Sequence, residues 1–418
     1  MVRPLTRRRI LRNITALLSG SMVSQGINAL TLLLIARQLG PAGYGQYAAC
    51  FALAGFAAIL INLGADIWLL REGGRQAAPL SESLGSVLAV KVVAGIAWLG
   101  LILVVAPLLR QDTFPAGLLQ LSAFSVLLDS LFATALTAFK ASLRNHVTSL
   151  LESASDATWL MTTLLLIGLR VQQVETYVQV RIIVLFISLL VAIFIIWRTI
   201  GIRGTFRTVR RLVREAPPFA ASELLSWISL RMDVLIIAFA LGEHAAGLYA
   251  PAVSIVNALF LVPAAVHGVM VPVLSHLVMT NTAQAEVTAK RMVILLLATG
   301  LGLSLTLMGG APLLVSFLKE SFSGSLSVLR ILSAILLFKS GSFAMAAILV
   351  AIGRQPHRAL VQAVAAIANI GLNLWIVYRL GIEGVAWVYV LTELLTVLGY
   401  TWLVQRYRPR SVAYSMVK

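Results

Sequence analysis

The sequence has 418 residues, of which 59% are hydrophobic and only 12% are charged, and its mean hydropathy is +0.93. Because charged residues make up about a quarter of an ordinary soluble protein, this composition excludes a soluble enzyme and, despite the net charge of +17, a soluble nucleic-acid-binding protein. The single cysteine, Cys50, excludes a disulfide framework and a thiolate metal cluster. A polytopic, all-α membrane protein is therefore expected.

Apolar segments long enough to cross a membrane fill the chain. A spanning helix needs about 20 apolar residues to cross roughly 30 Å of hydrocarbon. About twelve spans are predicted, at residues 14–36, 44–65, 84–106, 117–139, 146–168, 177–197, 217–240, 248–271, 292–317, 327–351, 359–378 and 385–404. The first run is longer than the apolar part of a signal peptide, so it is expected to be retained as a span.

Basic residues are distributed unevenly between the two sides of these spans. Most of the 33 Lys and Arg residues lie in the terminal segments and in alternate loops. The loops on the opposite side hold only Arg37, Arg110, Arg170, Lys319 and Arg379. Since basic loops stay in the cytoplasm, both termini are predicted to be cytoplasmic.

The most basic cytoplasmic segment, residues 198–215, divides the chain into two predicted lobes, 1–204 with helices 1–6 and 205–418 with helices 7–12. Four of its arginines fall on one face of a helix: Arg207, Arg210, Arg211 and Arg214. This pattern favours a segment lying on the anionic cytoplasmic leaflet. A docking site for a lipid-linked anion or a partner enzyme is the alternative.

The two lobes carry a repeated corner. Residues 36–48 align without gaps over residues 238–250, an offset of 202, with alanine, leucine, glycine, glycine, tyrosine and alanine in common. Both corners join the first two helices of a lobe on the outer side. The repeat is therefore predicted to be parallel, with a pseudo-twofold axis along the membrane normal and a central cavity between the lobes.

Polar side chains within the spans mark the candidate site, because each is costly in lipid unless it meets a partner or water. Helix 1 has a polar stripe of Ser21, Ser24, Gln25, Asn28 and Thr31. Helix 7 has a second stripe of Ser222, Glu223, Ser226, Ser229 and Asp233. Two such stripes would suit a hydrated cavity, whereas the alternative is interhelical hydrogen bonding in a static bundle.

Ionisable residues in helix 7 suggest binding and coupling roles. Arg231 is the best single candidate for an anion ligand, since a guanidinium forms paired bonds with phosphate oxygens, and a structural role is the alternative. Asp233 and Glu223 could take up a coupling proton or cation, or form internal ion pairs. Arg231 and Asp233 are two residues apart, so a regular helix places them on nearly opposite sides.

Other ionisable residues are expected to pair within a lobe, namely Asp129, Glu152, Asp156, Lys339 and Glu393. Lys91 and Arg181 are close enough to the membrane interfaces to snorkel. Helix 8 carries Asn257, a further candidate cavity residue, among three prolines that indicate an interrupted helix.

Signs of an enzyme or of a bound cofactor are missing from the sequence. No Gly-rich phosphate loop is present, the five histidines lack metal-ligand spacing, and the outer loops are short. Neither ATP hydrolysis nor a metal or cofactor is expected.

The chain resembles the polysaccharide-transporter family of lipid-linked oligosaccharide flippases, within the superfamily that also holds multidrug and toxin extrusion antiporters and lipid II flippases. The resemblance covers nearly the whole chain. It rests on the corner from Ala36 to Tyr47, on Asn62 to Asp66, Arg71, Glu72, Arg231 to Asp233, Gly247 to Ala250, Pro272 to Ser275, Leu329 to Leu332, Gly353, Arg354, Asn369 to Asn373 and Gly381 to Ala386. Residues 317–320 depart from the family, where many members have a glycine before the acidic residue.

The resemblance implies a flippase of the bacterial inner membrane that moves a polyprenyl-pyrophosphate-linked oligosaccharide to the outer leaflet by alternating access. Exopolysaccharide or O-antigen assembly is the implied pathway class, with membrane lipids and other polysaccharide assembly proteins as partners. The alternatives are a multidrug-type cation antiporter, which would use acidic cavity residues, and a membrane-embedded glycan-assembly enzyme, which the short outer loops oppose.

Overall fold

The computed structural model describes residues 7–75 and 79–407, except the side chains of residues 7–19, 21, 57, 60, 74, 75, 221, 222 and 225–230. The regular structure of the described residues is helical. The α-helices are α1 (Arg7–Asn62), α2 (Ala65–Arg75), α3 (Leu80–Val105), α4 (Ala116–Ala141), α5 (Asn145–Gly168), α6 (Val174–Thr199), α7 (Phe206–Glu215), α8 (Pro217–Leu241), α9 (Glu243–Leu259), α10 (Leu261–Thr280), α11 (Thr282–Leu318), α12 (Ser325–Ser333), α13 (Ile335–Ala351) and α14 (Gln355–Arg406). Both chain ends lie outside the described residues, so their cytoplasmic placement stays a prediction.

Several of these helical stretches are long and apolar enough to cross a membrane. Within the described residues they are Leu80–Leu108, Ala116–Ala141, Val174–Thr199, Glu243–Thr280, Thr282–Leu318, Ser325–Ala351 and Gln355–Arg406. The expectation of an all-α polytopic membrane protein is confirmed. The number of twelve spans stays a prediction.

Two of the longest helices each contain two predicted spans joined at a glycine. The backbone of α1 leaves helical geometry at Gly40, with φ 72° and ψ 176°, and that of α14 at Gly381, with φ 58° and ψ −147°. Glycine adopts such positive φ angles without the steric penalty of a Cβ. Pro41 follows Gly40 and suits the first turn of a new helical segment, where a backbone N–H has no partner to lose.

The repeated corner has the same backbone conformation in both copies. Gly242 has φ 88° and ψ −174°, close to the values of Gly40, which it matches at the offset of 202. The copies also contact each other reciprocally. A Cβ on Gly45 would lie 1.7 Å from the Glu243 carbonyl oxygen, and a Cβ on Gly247 would lie 1.7 Å from the Pro41 carbonyl oxygen. Each corner therefore needs its glycine because the backbone of the other corner occupies that space.

The predicted eighth span is interrupted, as its prolines indicated. α9 ends at Leu259 and α10 begins at Leu261, with Phe260 between them. Pro263 lies four residues after Leu259 and has no N–H to donate to the Leu259 carbonyl oxygen. The proline ring also crowds that carbonyl. The break is thus a local consequence of Pro263.

The chain forms two compact units, Met1–Pro251 and Ala252–Lys418. The core of the first unit is a continuous apolar cluster from α2, α3, α4, α6 and α7. Its fully buried members include Trp68, Leu84, Phe139 and Ile196. Full burial of a large apolar side chain contributes about 1.5–3 kcal/mol relative to exposure in water.

The second unit has two smaller apolar clusters. One joins α10, α11 and α13 through Leu274, Met292, Leu296 and Ala344, and the other joins α13 to the end of α14. Gly300 allows α11 to approach α13 closely, because a Cβ there would lie 2.6 Å from Ser340 Oγ. Small residues at such positions are typical of packed membrane helices. The predicted lobes 1–204 and 205–418 stay a prediction.

Candidate functional site

The polar residues of helix 1 differ in burial and in hydrogen-bond partners. Ser24 is buried and donates a hydrogen bond to Asp156 of α5. Thr31 is buried and donates to the Ile27 carbonyl oxygen at 2.8 Å. Gln25 is exposed and Asn28 is half-buried, and neither bonds to another described residue. Gln25 and Asn28 are therefore free to meet a ligand, whereas Ser24 is engaged inside its unit.

Glu223 holds the end of α1 against α8. The Asn62 Nδ2 atom donates to both Glu223 carboxylate oxygens, at 2.8 and 2.7 Å. The side chains of Ser222, Ser226 and Ser229 lie outside the described residues. Of the predicted helix 7 stripe, the structure thus shows Glu223 and Asp233.

The Asn62–Glu223 contact lies at a sharp backbone break. Leu63 and Gly64 have φ angles of 48° and 72°, which end α1 and allow α2 to start in a new direction. A Cβ on Gly64 would lie 2.5 Å from the Ala220 backbone nitrogen and 2.8 Å from the Ala216 carbonyl oxygen. Glu223 therefore stabilises a joint where two backbones nearly touch.

Arg231 and Asp233 face opposite sides of α8, as their spacing predicts. Asp233 is 5% exposed and accepts a hydrogen bond of 3.1 Å from the Tyr249 hydroxyl. Arg231 is exposed, and no carboxylate of the described residues pairs with it. In this conformation Arg231 can reach a ligand, while Asp233 is held inside the unit.

Arg181 is a candidate ligand that the sequence did not single out. It lies about two turns inside α6, with its guanidinium 5.6 Å from the centre of the Trp159 ring and Nη2 3.8 Å from Asp129 Oδ1. Arg181, Arg231 and Asp129 all lie near enough to the Tyr47 hydroxyl to interact with it electrostatically. Arg181 thus lies between Trp159 of α5 and Asp129 of α4.

The sequence analysis placed Arg181 near a membrane interface. The position of a residue along a span does not show which neighbouring helix its side chain faces. Tyr47 was quoted only as part of the corner motif. The sequence did show an aspartate, Asp129, in the span that forms α4 and an arginine, Arg181, in the span that forms α6. Their contact could not be derived without the packing of these helices.

Lys91 forms a satisfied buried ion pair and is not a free ligand. It is fully buried, with Nζ 2.8 Å from Asp66 Oδ2 and 3.1 Å from both the carbonyl and hydroxyl oxygens of Ser130. Thr134 donates to the other Asp66 oxygen at 2.7 Å. Because removal of either partner would leave an uncompensated buried charge, a structural role follows for this pair.

In the second unit, Asn257 is the candidate with unused hydrogen-bonding capacity. It is half-buried, and its buried Oδ1 atom has no hydrogen-bond partner among the described residues. Lys339 pairs with Glu393 at 2.9 Å, as predicted for ionisable residues within a lobe.

Comparisons with known proteins agree with this architecture. The model of the family described as "Polysaccharide biosynthesis protein" matches residues 10–278. A search of curated proteins finds no match.

Solved structures with the same fold are transporters. The lipid II flippase MurJ, in an inward closed conformation, is 15% identical with a TM-score of 0.76, over 92% of this chain and 86% of its own. An inward-facing multidrug resistance MATE family transporter of the MOP superfamily is 14% identical with a TM-score of 0.75, over 91% and 94%. A MOP superfamily transporter from Pyrococcus furiosus, reported to have a binding pocket of reversed polarity, is 14% identical with a TM-score of 0.64, over 97% and 98%. At these identities the likeness shows the fold.

Proposed function

The chain belongs to the polysaccharide biosynthesis protein family and has the MOP superfamily fold, and from this we propose that it is a flippase for a polyprenyl-pyrophosphate-linked oligosaccharide. It would carry this lipid from the cytoplasmic to the outer leaflet for surface polysaccharide assembly, such as exopolysaccharide or O-antigen. Unaided passage of a pyrophosphate and sugars through hydrocarbon is prohibitive. A hydrated cavity open to lipid removes that barrier while the polyprenyl tail stays in the bilayer.

The observation that carries the proposal is the exposed guanidinium of Arg231 in α8, with which no carboxylate of the described residues pairs. A cation at such a position is expensive in a membrane unless it meets water or an anion. Arg181, which lies over the Trp159 ring and 3.8 Å from Asp129, is proposed to supply a second guanidinium to the same anion. Two guanidiniums match the two negative phosphates of a pyrophosphate.

The roles proposed for further residues depend on whether their side chains are already hydrogen-bonded within the protein. Gln25, Asn28 and Asn257 are proposed to offer their amide groups to sugar hydroxyls, and Ser226 and Ser229 stay proposed cavity residues. Ser24 supports the substrate side of helix 1 through its bond to Asp156. Glu223 and Asp233 stay the proposed ion-coupling groups, each exchanging its present hydrogen bond for a proton or cation during transport. Without an ATP-binding loop, an ion gradient, the membrane potential or product consumption outside drives the cycle.

The test is replacement of Arg231 in a strain that depends on this chain for its surface glycan. Arg231→Ala is expected to abolish surface glycan and to accumulate lipid-linked intermediate inside, with the protein level unchanged. Arg379→Ala, which removes an exposed guanidinium from a predicted outer loop, is the matched control and should leave glycan normal. Normal glycan output in Arg231→Ala would remove Arg231 from the site and leave the proposal without its main support.

A multidrug-type cation antiporter is the second candidate. It is favoured by the carboxylates of Asp129, Glu152 and Asp156, of which Glu152 has a buried Oε2 atom with no hydrogen-bond partner among the described residues. Deletion of the gene would then lower tolerance to organic cations and leave surface glycan intact. The flippase proposal gives the opposite pair of results.

A further inference from the structure

The short helix α7 separates its arginines into two groups. It connects α6 to α8. Thr205 precedes its first residue, and the Thr205 side chain caps the helix by accepting a hydrogen bond from the Thr208 N–H. At about 100° per residue, Arg207, Arg210 and Arg214 lie within an arc of about 60°. Thr208 and Leu212, both buried, lie on the opposite side. Arg211 lies between these two sides.

Arg211 is neutralised inside the protein. Its Nη2 atom lies 2.9 Å from Glu72 Oε2, and its Nε atom lies 3.0 Å from Glu215 Oε1. Trp68 Nε1 donates to Glu215 at 3.1 Å, and Arg71 also pairs with Glu215. Together with the buried Leu212, this network fixes which face of α7 is turned toward α2.

The outward face of α7 combines free charge with exposed apolar surface. Arg207, Arg210 and Arg214 are exposed, and in the described part of the chain none of them pairs with a carboxylate. Phe206 is 85% exposed and Val213 is 57% exposed, and the two lie along one edge beside the arginines. Apolar residues flanked by arginines on an exposed helix face are typical of helices that lie in a membrane interface.

We propose that the outward face of α7, formed by Phe206, Arg207, Arg210, Val213 and Arg214, docks on the anionic phospholipids of the leaflet at its end of the spans. Phe206 and Val213 enter the acyl boundary, and the three guanidiniums bind lipid phosphates. The position argues for this occupant, because α7 directly joins two helices predicted to span the membrane. Each arginine near an anionic surface adds about a fivefold gain in affinity, so three acting together give a large composition dependence.

The experiment uses the full chain in nanodiscs of phosphatidylcholine alone or of an equal mixture with phosphatidylglycerol. Since Cys50 is the only cysteine, a nitroxide label at Val213→Cys in a Cys50→Ala background reports on α7 alone. Anionic discs are expected to raise the collision rate of the label with oxygen and to lower its collision rate with a water-soluble nickel chelate. The ratio of the oxygen rate to the chelate rate should be at least fivefold higher in anionic discs than in phosphatidylcholine discs. The triple variant Arg207→Gln, Arg210→Gln, Arg214→Gln should lose this dependence.

The matched control removes the same charge elsewhere, with Arg110→Gln, Arg170→Gln and Arg379→Gln, and should keep the response to anionic lipid. A second measurement, the phosphatidylglycerol retained by unlabelled protein after mild delipidation, should fall at least fivefold in the α7 triple variant alone. A label that stays equally accessible to the nickel chelate in both discs overturns the proposal and indicates a water-soluble partner for this face. An unchanged response in the α7 triple variant overturns it as well.

Discussion

At the scale of single residues, α8 shows what helical spacing can and cannot predict. The two-residue separation of Arg231 and Asp233 was sufficient to place them on opposite sides. It could not show which side was buried, because that depends on Tyr249, sixteen positions along the chain, reaching back to Asp233. Ser24 illustrates the same limit, since its partner Asp156 belongs to a helix far away in sequence.

Removal of the Tyr249 hydroxyl tests whether Asp233 is held by it. Tyr249→Phe is expected to lower the free energy of unfolding by about 0.5–1.5 kcal/mol, the usual contribution of one hydrogen bond. The measurement is the thermal unfolding midpoint of the purified protein in detergent. Tyr378→Phe, whose ring is 73% exposed, is the control and should leave the midpoint unchanged. Equal midpoints in all three proteins would show that the bond contributes nothing to stability.

At the scale of elements, the repeated corner was the feature most accessible to sequence reasoning. Gly40 and Gly242 match in sequence and in their positive φ angles. The reciprocal contact of Gly45 and Gly247 could not be predicted, because an ungapped alignment shows likeness but not that the two copies touch. The break at Leu63 and Gly64 lies where the predicted second span ends, but the sequence could not show that Glu223 from another helix holds this joint.

The close corner predicts strong sensitivity to one added methyl group. Gly45→Ala and Gly247→Ala should each destabilise the protein by at least about 1–3 kcal/mol, the range seen for overpacking, because the added Cβ would meet a fixed backbone oxygen. Gly100→Ala introduces the same methyl in α3, where nothing lies within 4 Å, and is the control. Comparison of thermal midpoints and folded yields checks this. Corner variants as stable as Gly100→Ala would contradict the contact.

The attachment of α7 to α2 should depend on pH through Glu215. The hydrogen bond from Arg211 holds the pKa of the Glu215 carboxyl below its ordinary value, with Trp68 and Arg71 acting in the same direction against partial desolvation. Because its pKa is lowered, Glu215 contributes its full stabilisation above the ordinary carboxyl pKa of about 4.3. This contribution is lost as the pH falls through the lowered pKa. The mobility of a spin label at Val213→Cys should therefore rise only once the pH falls below the ordinary carboxyl value of about 4.3.

Glu215→Gln provides the control for this titration. It removes one of the two carboxylates that Arg211 binds, so the label should be more mobile than in the parent protein at every pH and should lose the transition. A transition that persists in Glu215→Gln would assign the pH dependence to another group, such as Glu72.

At the scale of the whole molecule, composition alone was sufficient to predict an all-α membrane protein, and the corner motif pointed to the family that residues 10–278 match. Span counts and lobes were less accessible. The backbone breaks at Gly40 and Gly381 lie between the spans that hydropathy separates in α1 and α14, while the count of twelve and the lobes stay predictions. The substrate cannot be derived from the fold, since lipid flippases and multidrug transporters share it.

The most direct test of the flippase proposal is transbilayer movement of its substrate by the purified chain. Proteoliposomes would be loaded in the outer leaflet with a polyprenyl-pyrophosphate-linked oligosaccharide, and the fraction protected from an added glycosidase would be measured over time. With the wild-type protein and with Arg379→Ala, the protected fraction should rise over time. With Arg231→Ala it should stay at the level of empty liposomes. Wild-type proteoliposomes that protect no more substrate than empty ones, under an imposed ion gradient or without it, would contradict the account.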